Sequence, residues 1–141
     1  MESRLKFKIT RAQKAFQTFE DILKEPYSVI IRDAAIQRFE YTFEIVWKSL
    51  REFLKEKAGV IANSPKLAFR EAFSDGILSE EESKKCLEMT DDRNDTAHTY
   101  NEKVAERIFT GLKEYSSLMK KILNGILEER KLRKVNYEEV M

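Results

Sequence analysis

Residues 36–53 read Ile36-Gln37-Arg38-Phe39-Glu40-Tyr41-Thr42-Phe43-Glu44-Ile45-Val46-Trp47-Lys48-Ser49-Leu50-Arg51-Glu52-Phe53. Within this run Ile36, Phe39, Phe43, Val46, Leu50 and Phe53 recur at alternating steps of three and four. Such steps lay one apolar stripe along one side of an α-helix, which turns once every 3.6 residues. Trp47 borders the stripe, and its large ring is expected in the core with Phe39 and Phe43. A helix with one narrow stripe cannot bury it alone, so partner helices are required.

The sequence supplies two. Upstream, Leu5, Ile9, Ala12, Phe16, Phe19 and Leu23 repeat the pattern, and downstream Ile108, Leu112, Tyr115, Met119, Ile122 and Ile126 repeat it again. Stripes of this width pack as an antiparallel helix bundle. Pro26 ends the first helix. Residues 59–63 read as a loop, and Ser64-Pro65 as an N-cap with Pro at the first helical position. A short helix through Phe69 and Phe73 then closes at Asp75-Gly76. Ser79 and Glu82 form a capping box for a fourth helix. Thr99 and Glu102 offer a second box, Asn101 offers a competing cap, and a break is expected near residues 98–101. The expected fold is all-α: an antiparallel four-helix-type bundle with one short extra helix.

Composition narrows the class. Hydrophobic residues make up 42% of the 141, enough for a single domain with a real core. Four glycines and two prolines are too few for the turns of an all-β fold. The net charge of +1 excludes a global nucleic-acid footprint, so any RNA contact is local or built by association. Cys86 is the one cysteine and His98 the one histidine, so neither a disulfide nor a His/Cys metal site is expected within one chain. Met1 to Lys8 lacks the apolar core of a signal peptide, and no run is apolar enough to span a membrane. The cytoplasm is the expected location. Residues 1–127 are assigned to the bundle and residues 128–141, with Arg130, Lys131, Arg133 and Lys134, to a charged C-terminal extension, read as a solvated helix end.

The candidate chemistry lies in Arg93-Asn94-Asp95-Thr96-Ala97-His98-Thr99-Tyr100. Histidine is the side chain that gains and loses a proton near neutral pH. Arginine is a permanent cation whose planar fork suits a phosphate. Cys86, Met89, Arg93, Ala97 and Tyr100 would form the inward stripe of the fourth helix. A buried guanidinium needs a partner, with Glu40, Glu44, Asp91 and Asp92 as the candidates. On an unbroken helix Arg93 and His98 lie about 140° and about 7.5 Å apart, so they share no face unless the helix yields. Asp91, Asp95 and His98 do share a strip, and one of these carboxylates is a candidate to orient the imidazole. Asp91, Asp92 and Asp95 repel a phosphate unless they are paired. Lys66 and Arg70, four apart on the short helix, are read as a solvated face or as compensating charge.

Arg93-Asn94-x-x-x-His98-x-Tyr100 resembles the R-x4-H-x-Y motif of the HEPN superfamily, in its HepT-like branch. Arg38 to Glu44 with Trp47-Lys48, Ser64-Pro65 through Arg70-Glu71-Ala72-Phe73, and Asp92 through Tyr100 are similar to the family of nucleotidyltransferase substrate-binding proteins. The likeness spans about residues 5 to 125. Asp95 stands where the branch more often holds an apolar residue.

The resemblance implies a homodimeric helical bundle that brings two motifs to a shared cleft. It implies a metal-independent endoribonuclease toxin, paired with a minimal nucleotidyltransferase antitoxin of the MntA-like kind. Arg93 and His98 would be catalytic, Asn94 supporting, and Tyr100 the tyrosine that receives AMP from ATP. No cofactor and no metal are implied. Two further readings stand beside it: a catalytically silent subunit that docks on a nucleotidyltransferase, and a structural helical dimer with a vestigial motif.

Overall fold

The structure, a computed structural model, describes the backbone of residues 2–140 and the side chains of residues 4–129. Among the described residues five α-helices follow one another: α1 (Glu2–Leu23), α2 (Val29–Ala58), α3 (Pro65–Ser74), α4 (Glu80–Asp95) and α5 (Glu102–Val140). A single 3₁₀ turn, Thr96–His98, stands between α4 and α5. No strand occurs among the described residues, and no helix there is long and apolar enough to cross a membrane. The all-α bundle with a short inserted helix is the observed fold. The side chains of Arg130, Lys131, Arg133 and Lys134 lie outside the described residues; the backbone of α5 runs unbroken past residue 127.

Local chemistry sets the helix ends. Ser28 caps α2, its hydroxyl accepting from the Ile31 N–H at 3.0 Å. Gly59 closes α2 at φ 66°, a left-handed conformation that glycine adopts without a Cβ penalty. Ser64 caps α3 through the Leu67 N–H, with Pro65 first in the helix. In the Ser79–Glu82 box, the Glu82 N–H donates to the Ser79 hydroxyl at 3.1 Å and the Ser79 N–H to the Glu82 carboxylate at 2.8 Å. That backbone bond is the main reason the Glu82 carboxyl titrates below its ordinary range.

α2 is the central strut, packing on α1, α5 and α3, while α3 packs on α4. Every residue of its expected stripe is buried, as is every residue of the α5 stripe. In the α1 stripe only Leu23 departs: it is half-buried, and Ile22 beside it is the buried residue. Trp47 is buried, with Arg51 over its ring at 5.0 Å. Phe39 is the hub, within 6.1 Å of Phe19 and of Phe43 and stacked on Tyr115 at 5.6 Å between centroids. Truncating such a residue costs about 3–5 kcal/mol.

The fourth helix departs from expectation. Cys86 and Met89 are buried and Arg93 is half-buried, but Ala97 and Tyr100 are exposed. The α-helix ends at Asp95, and the tighter 3₁₀ winding rotates the following side chains off the stripe. The Thr99–Glu102 box is also absent. Asn101 caps α5, its side-chain oxygen accepting from the N–H groups of Lys103 at 3.0 Å and Val104 at 3.4 Å. The Thr99 hydroxyl turns back to the Thr96 carbonyl instead. Glu102 is drawn away by the buried Arg32, which donates to its carboxylate at 2.7 and 3.3 Å.

Candidate active site at the end of α4

The break after Asp95 divides the motif. Arg93 and Asn94 ride on the last turn of α4, His98 ends the 3₁₀ turn, and Tyr100 follows in the turn leading to Asn101. The helix yields next to His98, as the capping signals indicate.

Arg93 folds back onto α2. Its guanidinium forms an ion pair with Glu44, and its Cζ lies 5.6 Å from the Phe43 ring centroid. Glu44 is one of the partners anticipated for a half-buried arginine, and it also holds Lys48 at 3.2 Å. Asn94 accepts from Arg93 at a long 3.5 Å. Beside this pair lies an open depression of about 420 Å³, lined by Gln37, Glu40, Tyr41, Glu44, Ile45 and Arg93.

His98 takes a different course. It is exposed, and its Nδ1 lies 3.4 Å from the Tyr100 hydroxyl, with the rings edge-on at 5.9 Å. Tyr100 is 83% exposed, the most open large apolar side chain described. The structure thus brings His98 to Tyr100 and Arg93 to Asn94 and Glu44. Among the described residues no hydrogen bond joins Arg93 to His98.

No aspartate orients the imidazole, contrary to expectation, because each has a cation or hydroxyl of its own. Asp91 pairs with Lys66 at 2.7 Å, which makes Lys66 the compensating charge. Asp95 accepts from Arg107 at 2.7 Å, and Asp92 accepts from the same guanidinium at 3.2 Å. The Tyr115 hydroxyl donates to Asp92 at 2.5 Å. Burial first, and then this bond, push the Tyr115 phenol well above its usual range, so it remains a donor. The bond to Asp95 likewise raises the Arg107 guanidinium. Arg107 and Tyr115 are the residues that sequence reasoning missed; both lie on α5, far along the chain from their partners, with no local signal linking them.

The model of the family described as "nucleotidyltransferase substrate binding protein like" matches residues 7–128. The chain belongs to this family. A crystal structure from Thermus thermophilus is similar at 46% identity, covering 82% of this chain and 98% of that one, with a TM-score of 0.78. A Haemophilus influenzae protein, described as revealing the fold of a substrate binding domain of a nucleotidyltransferase, shares 21% identity over 84% of this chain and 98% of its own, at a TM-score of 0.71. The tri-AMPylated HEPN toxin of Shewanella oneidensis, solved in complex with an MNT antitoxin, shares 13% over 91% of this chain and 99% of its own, at 0.72. At these low identities the last two likenesses speak for the fold. No curated protein matches the chain significantly in sequence. The nucleotidyltransferase substrate-binding family is therefore shown, on a fold that HEPN toxins share.

Proposed function

We propose that the chain is the toxin half of a toxin–antitoxin pair, a metal-independent endoribonuclease that works as a homodimer and is silenced by a nucleotidyltransferase partner. The observation that carries this reading is the state of His98. It stands exposed on the 3₁₀ turn with a tyrosine as its sole side-chain partner among the described residues, while Asp91, Asp92 and Asp95 are paired off with Lys66, Arg107 and Tyr115.

In metal-free cleavage the 2′-hydroxyl of RNA attacks the adjacent phosphorus. A P–O bond forms to the 2′-oxygen as the bond to the 5′-oxygen breaks, leaving a cyclic phosphate and a 5′-hydroxyl. A base takes the first proton, an acid supplies the second, and a cation stabilises the phosphorane. One chain holds a single imidazole. A twofold dimer supplies two His98 and two Arg93 around one cleft, which meets the requirement for both an acid and a base. Asn94 assists by holding phosphate or Arg93. RNA would enter beside Tyr100. AMP transfer there forms a bond from the Tyr100 oxygen to the α-phosphorus of ATP, releases pyrophosphate and frees the phenolic proton. The added phosphate sets bulk and negative charge where RNA must pass.

A second reading, a catalytically silent substrate-binding subunit, draws on one observation: the Arg93 guanidinium is engaged by Glu44 within the chain. The two separate by experiment. His98→Ala should abolish RNA cleavage and growth arrest if the ribonuclease reading holds. Equal behaviour of wild type and His98→Ala would leave the silent subunit. Incubation with the partner nucleotidyltransferase and ATP should add AMP mass to the wild type and not to Tyr100→Phe.

A further inference from the structure

The molecule carries a second feature that the motif does not use. α1 and α2 lie antiparallel, and on their outer side two polar stripes face each other. On α1 the stripe is Arg4, Lys8 and Arg11, at steps of four and three; on α2 it is Lys48, Arg51 and Lys55, at steps of three and four. Two adjoining depressions hold all six cations. Lys8, Arg11, Glu44, Ile45 and Lys48 line one; Arg4, Arg51, Glu52, Lys55, Ile61 and Asn63 line the other. Only two carboxylates stand among them. Glu44 is bridged by Arg93 and Lys48, and Glu52 by Arg4 at 3.6 Å.

In a chain whose net charge is +1, this concentration is local, and the rest of the chain is net negative. Two of the cations are also held in place. Arg11 lies over the exposed Phe7 ring at 5.6 Å and Arg51 over Trp47 at 5.0 Å. The crowding registers in Lys8, whose ammonium is pushed below the ordinary lysine range by burial, with Arg51, Arg4 and Lys48 adding like-charge repulsion against Glu52. The track joins the candidate site directly, because Glu44 and Ile45 line both its first depression and the one beside Arg93. From Glu44 to Lys55 it follows α2 for about 17 Å, the scale of a single-stranded footprint a few nucleotides long.

We infer that the α1–α2 groove is a phosphate track for single-stranded RNA that leads away from the Arg93 site. Its choice of ligand rests on the ribonuclease reading. Its location rests on charge complementarity and on continuity with the depression at Arg93. Grooves that bind single strands combine cations that follow the backbone with rings on which bases stack; here the six cations follow the groove and the exposed Phe7 ring lies under Arg11, while Trp47 is buried.

The test uses the full chain in a His98→Ala background, so that RNA is not consumed. A fluorescein-labelled single-stranded RNA of about 12 nucleotides is titrated by anisotropy over a range of KCl concentrations. The variant Lys8→Gln/Arg11→Gln/Lys48→Gln/Lys55→Gln removes four contacts. It should lower affinity at low salt at least about tenfold and flatten the log–log salt slope by about 2–3, at about 0.7 per phosphate contact. A control with Lys24→Gln, Lys84→Gln, Lys113→Gln and Lys120→Gln, exposed lysines elsewhere, should bind as the parent does. If the fourfold variant misfolds, Lys8→Glu alone should still weaken binding. Equal binding by parent and track variant overturns the inference, as does an equal loss in the control. Absence of RNA binding by the parent also overturns it. So does a variant that keeps RNA but loses the nucleotidyltransferase partner, which would mark the groove as a protein-docking face. Failure of the ribonuclease reading looks different: wild-type protein cuts nothing while the track variant still loses RNA.

Discussion

Arg32 offers the sharpest test of how the site is held. Its side chain is 2% exposed, yet its partners are open to solvent: Glu102 at 2.7 Å, Glu106 at 3.0 Å and Asp33 at 3.0 Å. Tyr27 donates to Glu106 from the far side and sets its ring edge-on to Phe109 at 5.5 Å. Since Glu102 is the first residue of α5, Arg32 ties α2 to the turn that carries His98 and Tyr100. Arg32→Met fills the volume but drops the charge. Breaking a fully buried pair costs about 3–5 kcal/mol. Here the stranded carboxylates can rehydrate, so the cost falls to about 2–3 kcal/mol, or roughly 5–10 °C in Tm. The pH dependence has a definite sign. Both glutamates titrate below the ordinary carboxylate range, Glu102 through its bonds to Arg32 and Glu106 through Tyr27 and then Arg32. A depressed carboxyl stabilises the fold above its unfolded value of about 4.3, and the benefit is lost as pH falls through the folded value. Urea melts should therefore show a wide gap between wild type and Arg32→Met at pH 7 that closes below about pH 4. A gap that is absent at pH 7, or as wide at pH 3 as at pH 7, refutes the reasoning.

Two further outcomes follow from observed geometry. Asn101→Ala should lose about 1 kcal/mol in thermal or urea melts while Thr99→Ala stays within about 0.5 kcal/mol, since only Asn101 caps α5. The Cys86 thiol is pushed up to about 12, by burial and then by Glu82, so iodoacetamide at pH 8 should label it only after denaturation.

The parts of the fold that were legible are those decided within a few residues. The stripes on α1, α2 and α5 follow from helical spacing, and Ser64-Pro65 and Ser79/Glu82 cap their helices because the needed groups are three positions apart. Where two local signals competed, local reading left both open. Thr99/Glu102 and Asn101 both suit a helix start, and the choice falls to Asn101 because Arg32, seventy positions away, claims Glu102. The motif residues could be named, and Glu44 stood among the candidate partners of Arg93, but the partners of the aspartates on α5 could not be named. Asp95 reads as a carboxylate that could orient His98, and only the approach of α5 shows that Arg107 takes it. Likewise the stripe through Ala97 and Tyr100 assumes an unbroken helix, and the 3₁₀ turn ends that assumption.

Charge around the motif leads to a last prediction. Arg93 shares Glu44 with Lys48, while Arg107 and Lys66 answer the three aspartates. A phosphate arriving at Arg93 must displace Glu44, which then keeps Lys48 as its counter-ion, so the handover strands no charge. Glu44→Gln removes the competitor. The fold should lose at most about 1 kcal/mol, because an ion pair about a third exposed contributes little. That same energy, no longer required to free Arg93, should tighten RNA binding about two- to fivefold in the His98→Ala background, with a steeper salt slope. If Glu44 instead aims Arg93 at the phosphate, the substitution weakens binding. A fall in RNA affinity with the melting temperature unchanged would therefore replace the competing role of Glu44 by a positioning one.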